Sequence, residues 1–199
     1  MSQLPTRDEA VALMHEYTAN ENLRRHMYGV EACMRAYAKK YDEDCELWGQ
    51  TGMLHDFDYE RWPNDDHLPD AEHPSAGVAL LRDRGYPEEM LHAIMAHADY
   101  TDTTAESKLD ITLRAVDELS GFVVACTLVR PNGIMDLAPK SVKKKLKDRA
   151  FAAAVDRDGI REAQEALGED PTEHIQFVID ALRSEAATLG LYLVSCIGW

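Results

Sequence analysis

The sequence predicts an all-α protein, a helical bundle, on three observations. All eight prolines fall between segments of helical periodicity rather than inside them. Leu23, Met27, Val30, Met34, Tyr37 and Tyr41 recur in steps of four and three, which lays one apolar stripe along a helix. Alternating strand patterns are scarce, with Gly190 to Ile197 the stretch most open to that reading.

The elements follow in order. Thr6 is a helix N-cap, with Asp8 and Glu9 in the first turn of a helix reaching Tyr17. The striped helix comes next, then a helix from about Asp44 to Leu54. An acidic, proline-containing loop runs from Asp58 to Glu72. Pro74 suits a first helical position, with His73 just ahead of it, and that helix runs to Gly85. Pro87, Glu88 and Glu89 open another, which turns Leu91, Ile94, Met95 and Ala98 inward. A long apolar helix from Ser107 to Val129 is stopped by Pro131. Two or three C-terminal helices follow, one ending near Gly168 and one starting after Pro171. With no internal repeat and no long linker, one domain over residues 1–199 is expected, with a core at about 20–125 and a helical extension at about 138–199.

Composition narrows the function classes. The 199 residues are 45% hydrophobic and 29% charged, enough for a core without disulfides. Cys33, Cys45, Cys126 and Cys196 show neither zinc-knuckle nor redox-pair spacing. The formal charge of −15 argues against a nucleic-acid polymer or an anionic membrane as partner. Residues 140–149 are the exception: six cations against Asp148 make a local +5 and leave −20 on the rest. The first ten residues lack a signal peptide's apolar run, and the longest uncharged run, Ala186 to Trp199, is 14 residues, short of the roughly 20 a bilayer requires. A soluble, cytoplasmic protein is the expectation. Leu189, Leu191, Tyr192, Leu193, Ile197 and Trp199 of that tail read as core or subunit contact, and a homodimer is expected if they form an exposed patch.

The chemistry starts from His55 and Asp56. Neighbours on a helix diverge by about 100 degrees, so both can face one ion only where the helix ends or another crosses it. An imidazole and a carboxylate suit iron, manganese, zinc, cobalt or nickel. His26 lies at the edge of the apolar stripe, His73 precedes a helix, and His97 follows Ile94 by one turn; His92 is its rival five residues earlier. Asp117 sits against the apolar side of the long helix, where a buried carboxylate requires a partner. His15, His67 and His174 read as surface residues.

This order of residues resembles the HD superfamily of metal-dependent phosphohydrolases, all-helical proteins named for their His-Asp pair. The motif resemblance covers Asn22 to Leu119. The segments "NLRRHMYGVEACMRAYA", "ELWGQTGMLHDFDYE", "AVDELSGFVVACTLVRP" and "KSVKKKLKDRAFAAAVDRDGI" are similar to a bacterial and archaeal group of HD-superfamily hydrolases along nearly the whole chain. The resemblance implies one or two divalent ions: His26, His55, Asp56 and Asp117 around the first, His73 and His97 on the second, and Asp56 bridging. One-metal HD nucleotidases often carry a glutamate three residues after the pair's aspartate; Tyr59 stands there in this chain, a departure from that type.

The implied activity is hydrolysis of a small phosphorylated metabolite or nucleotide by metal-activated water, with Asp56 and Asp58 as the catalytic carboxylates. Asp58 reads as a support for a ligand or as a proton acceptor. Arg130, Lys140, Lys144 and Lys147 are the candidate phosphate anchors, the three lysines by their helical spacing; the plainer alternative is a solvated face. Two other functions share the residues: a mixed-valent diiron oxygenase, and a metal-containing ligand-binding module without turnover. No GxSxG, P-loop or GxGxxG competes.

Overall fold

Thr6 closes a capping box at the start of α1 (Arg7–Tyr17): its hydroxyl accepts from the Glu9 amide while the Glu9 carboxylate accepts from the Thr6 amide. The same local chemistry opens α2 (Glu21–Tyr41) at Asn20 and α3 (Cys45–Leu54) at Asp44. α4 (Ser75–Asp83) and α5 (Glu88–Ala96) start from Pro74 and Pro87, and α6 (Lys108–Leu128) is the second long helix. α7 (Pro139–Leu146), α8 (Arg157–Leu167), α9 (Pro171–Ser184) and the short α10 (Ala186–Leu189) complete the chain. The computed structural model describes residues 4–68 and 70–192, and no strand occurs among them, so the all-α expectation holds. Of the stretch read as a possible strand, Gly190 to Tyr192 are described and form none; the rest of it and the tail's last residues, including Cys196, lie outside the described residues. Pro74 is a small correction: it caps α4 and does not enter it.

Two compact units form, Met1–Arg114 and Ala115–Trp199, the division falling within α6. In the first, the α2 stripe does what its spacing demands: Met27, Val30, Met34 and Tyr37 are fully buried. α2 packs on α3 so closely that a Cβ on Gly52 would stand 3.0 Å from the Val30 backbone. Met14, Leu54, Phe57, Leu81 and Leu91 fill the same core from five other segments. Glu31 of α2, nearly buried, is held by Arg7 of α1 and by Arg35 one turn along its own helix, at 2.6 and 2.8 Å, which meets the demand that a buried charge be paired.

In the second unit, Val178, Ile179 and Leu182 of α9 are buried, as are Val142 of α7 and Ile134, and α7 packs on α9. Gly168 ends α8 at φ 74°, a conformation open to glycine and costly for a residue with Cβ. The surface reading of His174 is overturned here. It is fully buried, and its Nε2 lies 3.1 Å from the Ala115 carbonyl, which satisfies the ring in the core. No helix of the described residues is long and apolar enough to cross a membrane.

Candidate metal centre

Four histidines of the first unit converge on one carboxylate, and the ends of helices put them there. His55 is the residue that caps α3, so Asp56 lies just beyond the regular helix and the two side chains can meet. His97 occupies the equivalent place after α5, His73 precedes Pro74 at the mouth of α4, and His26 is on α2 beside the buried Met27. Asp56 Oδ2 stands 3.3 Å from His55 Nε2 and 3.6 Å from His26 Nε2. Its other oxygen, Oδ1, stands 3.3 Å from His73 Nε2 and 3.5 Å from His97 Nε2. His26 Nε2 and His55 Nε2 are themselves 3.3 Å apart.

The outer nitrogens explain the inner ones. His55 Nδ1 is 2.8 Å from the Gly52 carbonyl and His97 Nδ1 is 2.5 Å from that of Ile94, each three residues back in the last turn of its own helix. Those carbonyls lack an intrahelical partner and cannot donate, so Nδ1 carries the proton and donates it. His73 Nδ1 donates to Asp58 Oδ1 at 2.7 Å. Once Nδ1 is the donor, a neutral ring turns a lone pair inward at Nε2. Lone pairs facing a carboxylate repel it, and a cation among them reverses the sign of that interaction. Ligand atoms about 2.1 Å from one ion stand roughly 3.0–3.4 Å apart, close to the 3.3–3.6 Å separations of this cluster. The residues fit a divalent transition ion: His55, Asp56 and His97 alone bring three donor atoms within 4.8 Å of one another.

Burial would push the Asp56 carboxyl up, but His55, His97 and His73, when protonated, hold it well below the usual carboxylate range; the carboxylate thus calls for positive charge at this point, which protons on the rings or a bound cation between neutral rings would supply.

Asp58 sits behind His73. It is nearly fully buried, and its oxygens accept from His73 Nδ1 and from the Gly77 amide, each at 2.7 Å. Each oxygen thus accepts one hydrogen bond, an arrangement that fixes the orientation of the His73 ring and fits the supporting one of the two roles expected for Asp58. Gly77 is required by this contact, since a Cβ there would meet Asp58 Cγ at 2.6 Å. His92 leaves the contest with His97 by pairing with Asp110 Oδ2 at 3.0 Å. Two tyrosines were not singled out by sequence as neighbours of the site. The Tyr100 phenol donates to the His73 carbonyl at 2.9 Å, and the exposed Tyr59 meets the His73 ring edge-on at 5.2 Å. Tyr59 stands three residues after Asp56 and Tyr100 three after His97, but nothing in that spacing points to His73.

The remaining candidates are in the second unit. Asp117 is on α6, half-buried. Lys140 and Lys144 are exposed on α7, and Lys147 follows its last turn. Arg130 is held by Asp136 at 2.8 Å.

No solved structure matches the chain. Ribonuclease Y from Desulfotalea psychrophila is 27% identical over 132 residues, which cover 66% of this chain and 23% of that protein. The matched stretch is thus less than a quarter of the relative's length. The HD domain family matches residues 23–121, which contain all four converging histidines, the His55-Asp56 pair and Asp58. The chain is an HD-domain protein.

Proposed function

We propose that this chain is a metal-dependent phosphohydrolase acting on a small phosphorylated metabolite or nucleotide. The observation that carries the proposal is the division of Asp56 between two pairs of imidazoles, Oδ2 toward His26 and His55 and Oδ1 toward His73 and His97. A bridging carboxylate between two ions has this form, and the family pattern adds Asp117 to the first. Bound divalent ions lower the pKa of a coordinated water toward about 7 and withdraw charge from phosphoryl oxygens. The residues of the chain contribute orientation. His55 and His97 are locked by carbonyls of their own helices, and His73 is locked by Asp58 and by the Tyr100 contact to its backbone. Tyr59 presents a half-exposed ring beside His73, where a substrate would meet it.

Similarity to a protein named as a ribonuclease supports phosphoester cleavage as the reaction class, and the charge of −15 favours a small substrate over a polymer. The test is metal analysis of purified protein joined to a phosphoester screen with manganese, cobalt, nickel and magnesium. Turnover with redox-inert ions, lost together with bound metal in Asp56→Ala, is the expected result. Undiminished turnover by a metal-free Asp56→Ala protein, or turnover that requires dioxygen and iron, refutes it.

A further inference from the structure

The basic stretch left over from the metal centre lines a cleft of its own. Cys126 in the last turn of α6, with Val129 and Arg130 three and four residues on and just past the helix, forms one wall. Ser141, Lys144, Lys145 and Asp148, again at steps of three and four, form the other, with Leu137 between them. The cavity holds about 340 Å³, within the size range of small-molecule sites, and every lining residue belongs to the second unit. Lys140 and Lys147, the anchors expected beside Lys144, are not in it.

The charges in this cleft are unequally engaged. Arg130 is committed to Asp136 through Nε and through the Asp136 carbonyl, at 2.8 and 3.0 Å. Lys145 lies 3.5 Å from Asp148 and over the Phe151 ring at 4.3 Å. Lys144 forms no ion pair among the described residues, so the lining carries one uncompensated positive charge. Arg130 Nη1 donates to Ser141 Oγ at 3.2 Å, which leaves the Ser141 hydroxyl proton able to donate elsewhere. Beside these donors the wall is apolar. Val129 is 61% exposed, and burial pushes the Cys126 thiol up to about 11, so it stays neutral.

We propose that this cleft binds a small organic anion: its acidic head between Lys144 and the Ser141 hydroxyl, its apolar body against Val129, Leu137 and Cys126. An exposed valine beside an unpaired ammonium is covered by a ligand with that polarity, whereas a bare inorganic ion would leave the apolar wall wet.

The experiment is calorimetric titration of the full chain with hexyl phosphate, hexanoate and hexanol. Binding of either acid, with hexanol at least about tenfold weaker, is expected, and the tighter acid identifies the head group. Lys144→Glu should weaken the acids at least about tenfold, since it removes one charge-assisted bond and adds a repulsion. Val129→Asp should weaken them as well; both side chains are exposed, so neither change threatens the fold. Asp56→Ala should leave binding intact. Equal affinity for hexanol, unchanged binding by Lys144→Glu, or loss of binding in Asp56→Ala overturns the proposal, the last by moving the anion to the metal centre.

Discussion

Asp58→Asn is a change of one atom whose consequence follows from hydrogen-bond polarity. Both neighbours of the wild-type carboxylate are donors: the Gly77 amide at Oδ2 and His73 Nδ1 at Oδ1, each at 2.7 Å. An asparagine supplies one acceptor and one donor. Its NH2 cannot face Gly77, because a backbone amide is a permanent donor, so it must face His73. The ring then gives up its Nδ1 proton and carries one at Nε2 instead, pointing at Asp56 Oδ1 only 3.3 Å away. That proton occupies the position a metal requires. Loss of such an orienting partner costs about 10–100-fold in metal affinity, or about 1.4–2.7 kcal/mol. If the ring keeps its proton, a buried donor is left unsatisfied, at about 1–3 kcal/mol of folding stability. Chelator competition with zinc or manganese measures the first cost and urea denaturation the second, while nitrogen NMR of the His73 ring reports which nitrogen is protonated. Unchanged metal affinity together with an unchanged tautomer and unchanged stability would refute the assignment of Asp58 as the residue that holds His73.

Three further outcomes are expected. Gly77→Ala should raise helix propensity by ~1 kcal/mol yet lower metal affinity, because its Cβ meets Asp58 at 2.6 Å; chelator competition on a folded variant shows which effect governs the site. Gly52→Ala should destabilise by about 1–3 kcal/mol in urea, since the Cβ would lie 3.0 Å from Val30 backbone atoms and 2.9 Å from Met34, and a packed helix cannot retreat as a side chain can. Phe57→Ala should cost about 3–5 kcal/mol, because the ring is fully buried and packs edge-on against Tyr17 at 5.4 Å.

The helices were legible in the sequence where the punctuation stood out: Thr6 caps α1, Asp44 opens α3, and prolines stand at the starts of α4, α5 and α9. Asn20, Asp156 and Asp170, which also cap through their own side chains, and Pro139, which opens α7, were not singled out by sequence. The order His26, His55-Asp56, His73, His97 was legible too, since each histidine abuts an apolar run or a helix boundary. What depended on distant partners was not. His174 looks like a surface histidine until α9 buries it against the Ala115 carbonyl, a contact across 59 positions. Asp58 reads equally as a support for a ligand or as a proton acceptor; the contact with the Gly77 amide, 19 residues on, that fixes its orientation has no sequence signal. The lysine spacing made Lys140, Lys144 and Lys147 one face, but α7 ends at Leu146 and the wall it offers to the cleft is Ser141, Lys144 and Lys145.

Asp110 allows a test of these electrostatic arguments away from the metal. Its carboxylate is nearly fully buried and accepts from the Glu106 and Ser107 amides at 3.0 Å, while the Ser107 hydroxyl accepts from the Asp110 amide, a reciprocal cap on the first turn of α6. Burial would push the Asp110 carboxyl up, but the Ser107 and Glu106 hydrogen bonds and the nearby His92 together hold it below its ordinary value. A carboxylate whose pKa is lower in the folded chain binds fewer protons there than in the unfolded chain, so its stabilisation is complete above the unfolded value of about 3.9 and is lost as pH falls through the folded one. Asp110→Asn should therefore cost ~1 kcal/mol at neutral pH, the scale of a helix cap. The difference from wild type should hold down to about pH 5 and shrink below about pH 4. Urea denaturation of both proteins across that range measures it, and a difference that grows on acidification would mean that burial, not the cap, controls this carboxyl.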